Sequence, residues 1–307
     1  MVNKNNKIFV AGHNGMVGSA IVNNLVSNGY HNMCNVSRRI VDLTIQKEVN
    51  DYFKQQKPDV VIIAAAKVGG IYANNTQKAE FIYQNLMIQS NVIHSSYVNN
   101  VKKLLFLGSS CIYPKLSNQP IKEDCLLSSK LEPTNSSYAI AKIAGLEMIK
   151  SYRSQYGCDY ISVMPTNLYG FNDYYDTSYS HVIPSIIEKI KIAKANKSSL
   201  NLLGDGSPLR EFLHASDLAE ACVLLLENYS GDDIVNIGSG EEVSISELAN
   251  IIANCMGFNG ETIFNNDISY NGSPRKILDC TLLHSIIDWK PKYNLKTGLT
   301  EIIKQKI

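Results

Sequence analysis

The sequence predicts an α/β protein: a Rossmann-type, doubly wound parallel sheet with a smaller mixed α/β substrate lobe in its C-terminal part. Three observations carry this. A β-type run, Lys7–Ala11, leads through a glycine-spaced turn into a helical pattern. Short apolar runs then alternate with helical patterns of ten or more residues over about the first 165 positions, the signature of βαβ units. Finally, Val60–Ala66 is apolar without a polar break, as a strand buried on both faces must be.

The elements follow in order. Ser19–Val26 reads as the first helix, stopped by Asn28-Gly29, a good C-terminal cap. Asn35-Val36-Ser37 is the candidate second strand, and Ile45–Gln55 a helix. Pro58–Ala64 is the buried strand, and Phe81–Asn99 a long helix. Lys103–Leu107 is a strand, Ser137–Tyr156 a helix, and Tyr160–Met164 a strand. After Pro165 a polar loop rich in Tyr and Asp (Phe171–Ser180) precedes a helix at Pro184–Ala195. The remainder reads as short strands, glycine turns at Gly204-Asp205-Gly206 and Gly238-Ser239-Gly240, and one clear helix, Ser244–Met256. Residues 1–168, with returning segments at about 209–240, are assigned to a dinucleotide-binding domain. Residues 169–208 and 241–307 are assigned to the substrate lobe.

The composition narrows the function. Lys and Arg number 29 against 28 Asp and Glu in 307 residues, so no basic surplus points to nucleic acid or an acidic membrane surface. The longest apolar run is far below the roughly 20 residues that span a bilayer, and no apolar targeting stretch precedes Ile8. Seven cysteines without a CxxC pair suit free thiols in a reducing cytoplasm better than a disulfide framework or metal site.

Gly12-His13-Asn14-Gly15-Met16-Val17-Gly18 lies between the first strand and the first helix. Glycines at this spacing permit a tight turn, close backbone approach to a pyrophosphate, and phosphate capture by the helix N-terminus. The second β-type run ends in Ser37-Arg38-Arg39 rather than a carboxylate. Guanidinium groups there suit the 2′-phosphate of NADP(H).

Tyr138 and Lys142 are four apart on one helix face, and Gly108-Ser109-Ser110 follows the preceding strand. An ammonium beside a phenol is expected to lower its pKa, and a serine hydroxyl can share the same carbonyl oxygen. Together with the glycine turn, these features resemble the extended, nucleotide-sugar-modifying branch of the short-chain dehydrogenase/reductase superfamily. Further blocks are similar to the GDP-L-fucose synthase family: Lys67–Asn75, Gly108–Lys115, Glu132–Asn135, Met164–Gly170, Ser180–Pro184, Arg210–His214 and Gly272–Lys276.

The resemblance implies 3,5-epimerisation of GDP-4-keto-6-deoxy-D-mannose and NADPH-dependent reduction at C4. It implies catalytic roles for Ser109, Cys111, Tyr138, Lys142 and His181, with Cys111 as base and His181 as acid. Gly12, Asn14, Gly15, Met16, Val17, Gly18, Arg38 and Lys142 would bind the cofactor. Asn167, Lys189, Arg210 and Lys276 would bind the substrate, the last three toward its phosphates. A homodimer through the helices beginning near Phe81 and Ser137 is also implied. Two positions depart from the family pattern: Asn14, where an Arg is frequent, and Leu203, where some relatives have Trp.

Overall fold

The computed structural model describes residues 2–306. Its centre is a five-stranded parallel sheet. Strands β1 (Ile8–Ala11), β2 (Val60–Ile63), β3 (Lys103–Leu107) and β4 (Tyr160–Pro165) lie side by side in that order. Alternation along each strand divides the core. Ile8, Val10, Val60, Ile62, Leu105 and Leu107 face one layer. Phe9, Val61, Ile63, Leu104 and Phe106 face the other. Helix α1 (Met16–Ser27) packs on the first face; α2 (Gln46–Gln56), the 21-residue helix α3 (Lys78–Val98) and α4 (Ser136–Tyr156) cover the second. Burial on both faces is why these strands carry no polar alternation.

The candidate second strand is absent as a strand. The segment runs parallel beside β1 but forms a single bridge, Ile8 to Met33. Asn35 then interrupts the ladder: its side-chain oxygen, not a backbone carbonyl, accepts from the Val10 amide at 2.8 Å.

Beyond β4, β5 (Asn167–Tyr169) belongs to a second sheet. Helix α5 (Val182–Asn196) and strand β6 (Leu200–Leu202) follow, then β7 (Leu209–His214), which pairs in parallel with β5. Helix α6 (Ala215–Asn228) returns to the first sheet, packing on α1, and β8 (Val235–Ile237) joins that sheet beside β4. Sequence reading missed α6. Its continuous apolar run Ala221–Leu226 fits a buried strand as well as a helix, and nine of its 14 residues are buried. Strand β9 (Glu242–Ser244) runs antiparallel to β7. Ser244 and Glu247 form a reciprocal capping box that starts α7 (Ile245–Cys255) where expected. Strand β10 (Thr262–Phe264) pairs with β6, and β11 (Arg275–Lys276) with β7. A short helix, Thr281–Ile286, and α8 (Leu295–Lys306) complete the chain; they too escaped the sequence reading. Ile186, Ile190, Leu248, Ile252, Leu299 and Ile302 form the core of this second half.

Two buried carboxylates tie the segments together. Glu211, fully buried on β7, accepts from the amides of Gly240 at 2.8 Å and Leu278 at 3.1 Å. Asp217 accepts from those of Lys292 and Tyr293 at 3.0 and 3.1 Å. No helix among the described residues is long and apolar enough to cross a membrane.

Candidate active site

A cavity of about 1360 Å³ runs from the β1–α1 turn to the β7–β11 strand pair. At one end lies the glycine turn. Gly12 has φ +83°, and a Cβ there would stand 2.8 Å from the Ala65 backbone; a Cβ on Gly18 would stand 2.1 Å from the Gly12 carbonyl oxygen. Glycine is therefore needed at both places for the strand, turn and helix to meet. The helix opens at Gly15 with no side-chain cap, and Gly15, Met16 and Val17 line the cavity with Asn14. Bare amides at that terminus suit a phosphate. Arg38 lines the rim, paired with Asp42 at 3.3 Å, whereas Arg39 is absent from the lining. Turn and rim thus fit a dinucleotide phosphate.

In the middle of the cavity, the Ser109 hydroxyl accepts from the Cys111 amide at 3.2 Å and lies close enough to the Tyr138 phenol to favour its ionised form. Lys142, 3% exposed, donates to the Leu107 carbonyl at 2.7 Å, with its Nζ 5.9 Å from the centre of the Tyr138 ring. One expectation is corrected here. Burial, reinforced by negative charge at Cys111, holds the Tyr138 phenol above its ordinary pKa; the opposing contribution is the Ser109 hydrogen bond, not Lys142. Burial instead lowers Lys142 itself to about 7. The dry pocket penalises the charged form of each group.

His181 lies at the far wall, as the residue from which α5 starts. Desolvation lowers its pKa, and the Asp173 carboxylate opposes that. Its position depends on the Lys67–Asn75 block. The Gly70 amide donates to the Tyr179 carbonyl at 2.8 Å, and a Cβ on Gly70 would fall 2.3 Å from the Ser180 oxygen. Glycine there lets the turn press against the residue preceding His181. The short helix Ile71–Thr76 begins at this contact; it was not read from the sequence.

Four polar residues close the other end. Asn167 donates to the Glu211 carbonyl at 2.8 Å. Arg210 donates to the Leu209 and Asn271 carbonyls, both at 2.8 Å. Burial pulls its pKa to about 10, so it stays charged at neutral pH. Lys189, half-buried on α5, is also lowered by desolvation. Lys276 stands opposite Arg210 in the strand register, its Nζ donating to Cys111 Sγ at 3.8 Å. Every proposed site residue therefore lines the one cavity. Sequence reading missed Asn271. Its side chain exchanges hydrogen bonds with Asp205, 3.2 Å to the amide and 2.9 Å to the carboxylate, clasping the Gly204–Gly206 turn to the strand that bears Lys276. Only spacing in three dimensions reveals that pair, which is 66 positions apart.

Residues 8–238 match the NAD dependent epimerase/dehydratase family. The chain belongs to this family. GDP-L-fucose synthase 1 of Arabidopsis thaliana is 53% identical over 98% of this chain and 93% of its own length. The GDP-L-fucose synthase of Escherichia coli is 48% identical over 95% of this chain and 94% of its own. Among solved structures, a GDP-mannoheptose C4 reductase from Campylobacter jejuni with NADP bound superposes with a TM-score of 0.89 at 37% identity, covering 100% of this chain and 99% of the other. In this family setting, the glycine turn and the Ser109, Tyr138 and Lys142 side chains line one enclosure.

Proposed function

We propose that the protein converts GDP-4-keto-6-deoxy-D-mannose into GDP-L-fucose, inverting C3 and C5 and then reducing C4 with NADPH. The observation that carries this reading is the placement of two further proton carriers, Cys111 and His181, in the cavity that holds Ser109 and Tyr138. Reduction of a ketone needs a proton donor for its oxygen; inversion of the flanking carbons needs a group to take a proton and another to return one. The full-length likeness to proteins named GDP-L-fucose synthase supports the same reading.

Carbons 3 and 5 flank the C4 ketone, so loss of either proton leaves an enolate whose charge sits on O4. Ser109 and Tyr138 hold that oxygen through O–H groups. Cys111 Sγ removes the proton, and His181 delivers one from the opposite side. The Asp173 carboxylate favours the imidazolium that this delivery requires. In the last step Tyr138 gives its proton to O4, and Lys142, titrating near neutrality, helps to restore the charge balance of the buried site. Gly12, Asn14, Gly15, Met16, Val17, Gly18, Arg38 and Lys142 would hold NADPH, which when bound would supply a hydride for C4. Arg210 and Lys189 face the diphosphate, and Asn167 the sugar.

The sheet built from β1–β4 and β8, with α6, forms the cofactor half in this reading; β7, which opens the segment 209–240 expected to return to that half, pairs instead with β5 and belongs with the nucleotide-sugar half. We place the enzyme in the cytoplasm as a homodimer through α3 and α4. Tyr83 and Val98 on α3, and Ile140 and Tyr156 on α4, are large apolar side chains left 46–62% exposed. Light scattering should give twice the monomer mass.

The function is tested by proton NMR of the product made from GDP-4-keto-6-deoxy-D-mannose and NADPH. GDP-L-fucose is expected. A 6-deoxyhexose reduced at C4 with C3 and C5 unchanged would make the protein a simple reductase of the kind named for its structural neighbour.

A further inference from the structure

Cys111 sits on a short 3-10 turn, Ser110–Ile112, started by Ser109. Its environment is electrically awkward for a base. A negative charge on its sulfur is felt by the buried phenol of Tyr138, which offers it no counter-charge. A nearby cation would supply one. Six lysines and arginines line the cavity; Arg38 is paired with Asp42 and Lys67 with Glu80, no hydrogen bond among the described residues joins Lys189 to the sulfur, and the geometry separates the remaining three. Lys142 is turned away, its ammonium donating to the Leu107 carbonyl. Arg210 feels the sulfur's charge, but its guanidinium is fixed by the Leu209 and Asn271 carbonyls. Lys276 Nζ donates directly to Cys111 Sγ at 3.8 Å, from a strand whose register with β7 sets it beside Arg210.

We infer that Lys276 is the counter-charge of Cys111: a positioning residue for epimerisation, acting through the sulfur rather than on the substrate diphosphate. This rests on Cys111 being the base. As Cys111 Sγ takes a proton from C3 or C5, an S–H bond forms, the C–H bond breaks, and its electron pair moves to O4. The imidazolium of His181 then protonates carbon and becomes neutral. Lys276 takes no part in the proton transfer; its side-chain nitrogen stands against the sulfur, and the short β7–β11 pairing holds it there. A cation within about 4–6 Å is close enough to favour the charged form of a neighbouring group strongly.

The test compares Lys276→Gln and Lys276→Arg with the unmodified chain, each first shown to bind NADPH. Alkylation of Cys111 by iodoacetamide at pH 7.5, without substrate, is followed by peptide mass spectrometry so that the other six cysteines serve as internal references. Lys276→Gln should slow Cys111 alkylation about tenfold, and Lys276→Arg should restore most of the rate. Deuterium exchange into the sugar should fall in parallel through kcat, with KM nearly unchanged. Equal alkylation rates in Lys276→Gln and the unmodified chain, with a raised KM, would overturn the inference and return Lys276 to the diphosphate. The underlying assignment fails separately: a Cys111→Ser chain that still exchanges deuterium at C3 and C5 would show that the sulfur is not the base, whatever the alkylation rates.

Discussion

The two ends of the cavity are built in opposite ways. At the glycine turn, seven consecutive residues set the geometry: Gly12 supplies the left-handed backbone, Gly18 the close approach, and the uncapped helix start the amides. Toward the other end, Cys111 and Lys276 meet from positions 165 apart, with Arg210 beside Lys276 on the neighbouring strand and His181 carried in at the start of α5. A local site is specified by what its residues can do with their own backbone. A convergent site is specified by the sheets and carboxylates that bring its walls together, so its weak points lie away from the chemistry.

Gly18→Ala places a Cβ 2.1 Å from a backbone oxygen that cannot yield. NADPH binding should be lost and stability should fall by about 1–3 kcal/mol, read by cofactor fluorescence and thermal melting. Cys111→Ser should reduce deuterium exchange at C3 and C5 by about 100-fold or more while leaving NADPH affinity unchanged, measured by NMR and titration. Retained exchange would break the distinction between the two ends.

Away from both ends, His214 caps α6, its Nδ1 accepting from the Ser216 amide at 3.3 Å, and burial pulls its pKa from 6.5 to about 4. The unfolded chain therefore binds the extra proton first. Stability is full above pH 6.5 and declines as pH falls from 6.5 toward 4, by on the order of 3 kcal/mol in total. His214→Asn keeps a capping oxygen and should flatten that acid limb in pH-dependent denaturant melts. Asn271→Ala should be the mildest change. Losing the clasp to Asp205 loosens the carbonyl that fixes Arg210, raising KM for the nucleotide-sugar about fivefold with little change in kcat.

The same contrast accounts for what the sequence made legible. The central strands were readable because burial leaves a continuous apolar signature, and the helices over 46–56, 78–98 and 136–156 because long proline-free runs alternate with those strands. The edge strand at Asn35 was misread because a side-chain amide can take over a ladder acceptor without changing the local pattern. Helix α6 escaped because its apolar run Ala221–Leu226 fits a buried strand as well as a helix. At the site, Tyr138 and Lys142 were found from their spacing, yet the charge relation between them was not. Lys142 is occupied by the Leu107 carbonyl, a partner 35 positions away. Cys111 and His181 came from resemblance alone, and the Asn271–Asp205 clasp has no linear signal.

The central claim is that one oxygen site, Ser109 with Tyr138, serves both the epimerisation and the reduction. It is tested most directly by incubating the protein with GDP-4-keto-6-deoxy-D-mannose in D₂O before any NADPH is added, and following the sugar by proton NMR. Deuterium should enter at both C3 and C5 in the unmodified chain, and Tyr138→Phe should slow this exchange as well as the later reduction. Reduction on addition of NADPH with no prior or concurrent exchange, or exchange untouched in a Tyr138→Phe chain that can no longer reduce, would contradict a shared site.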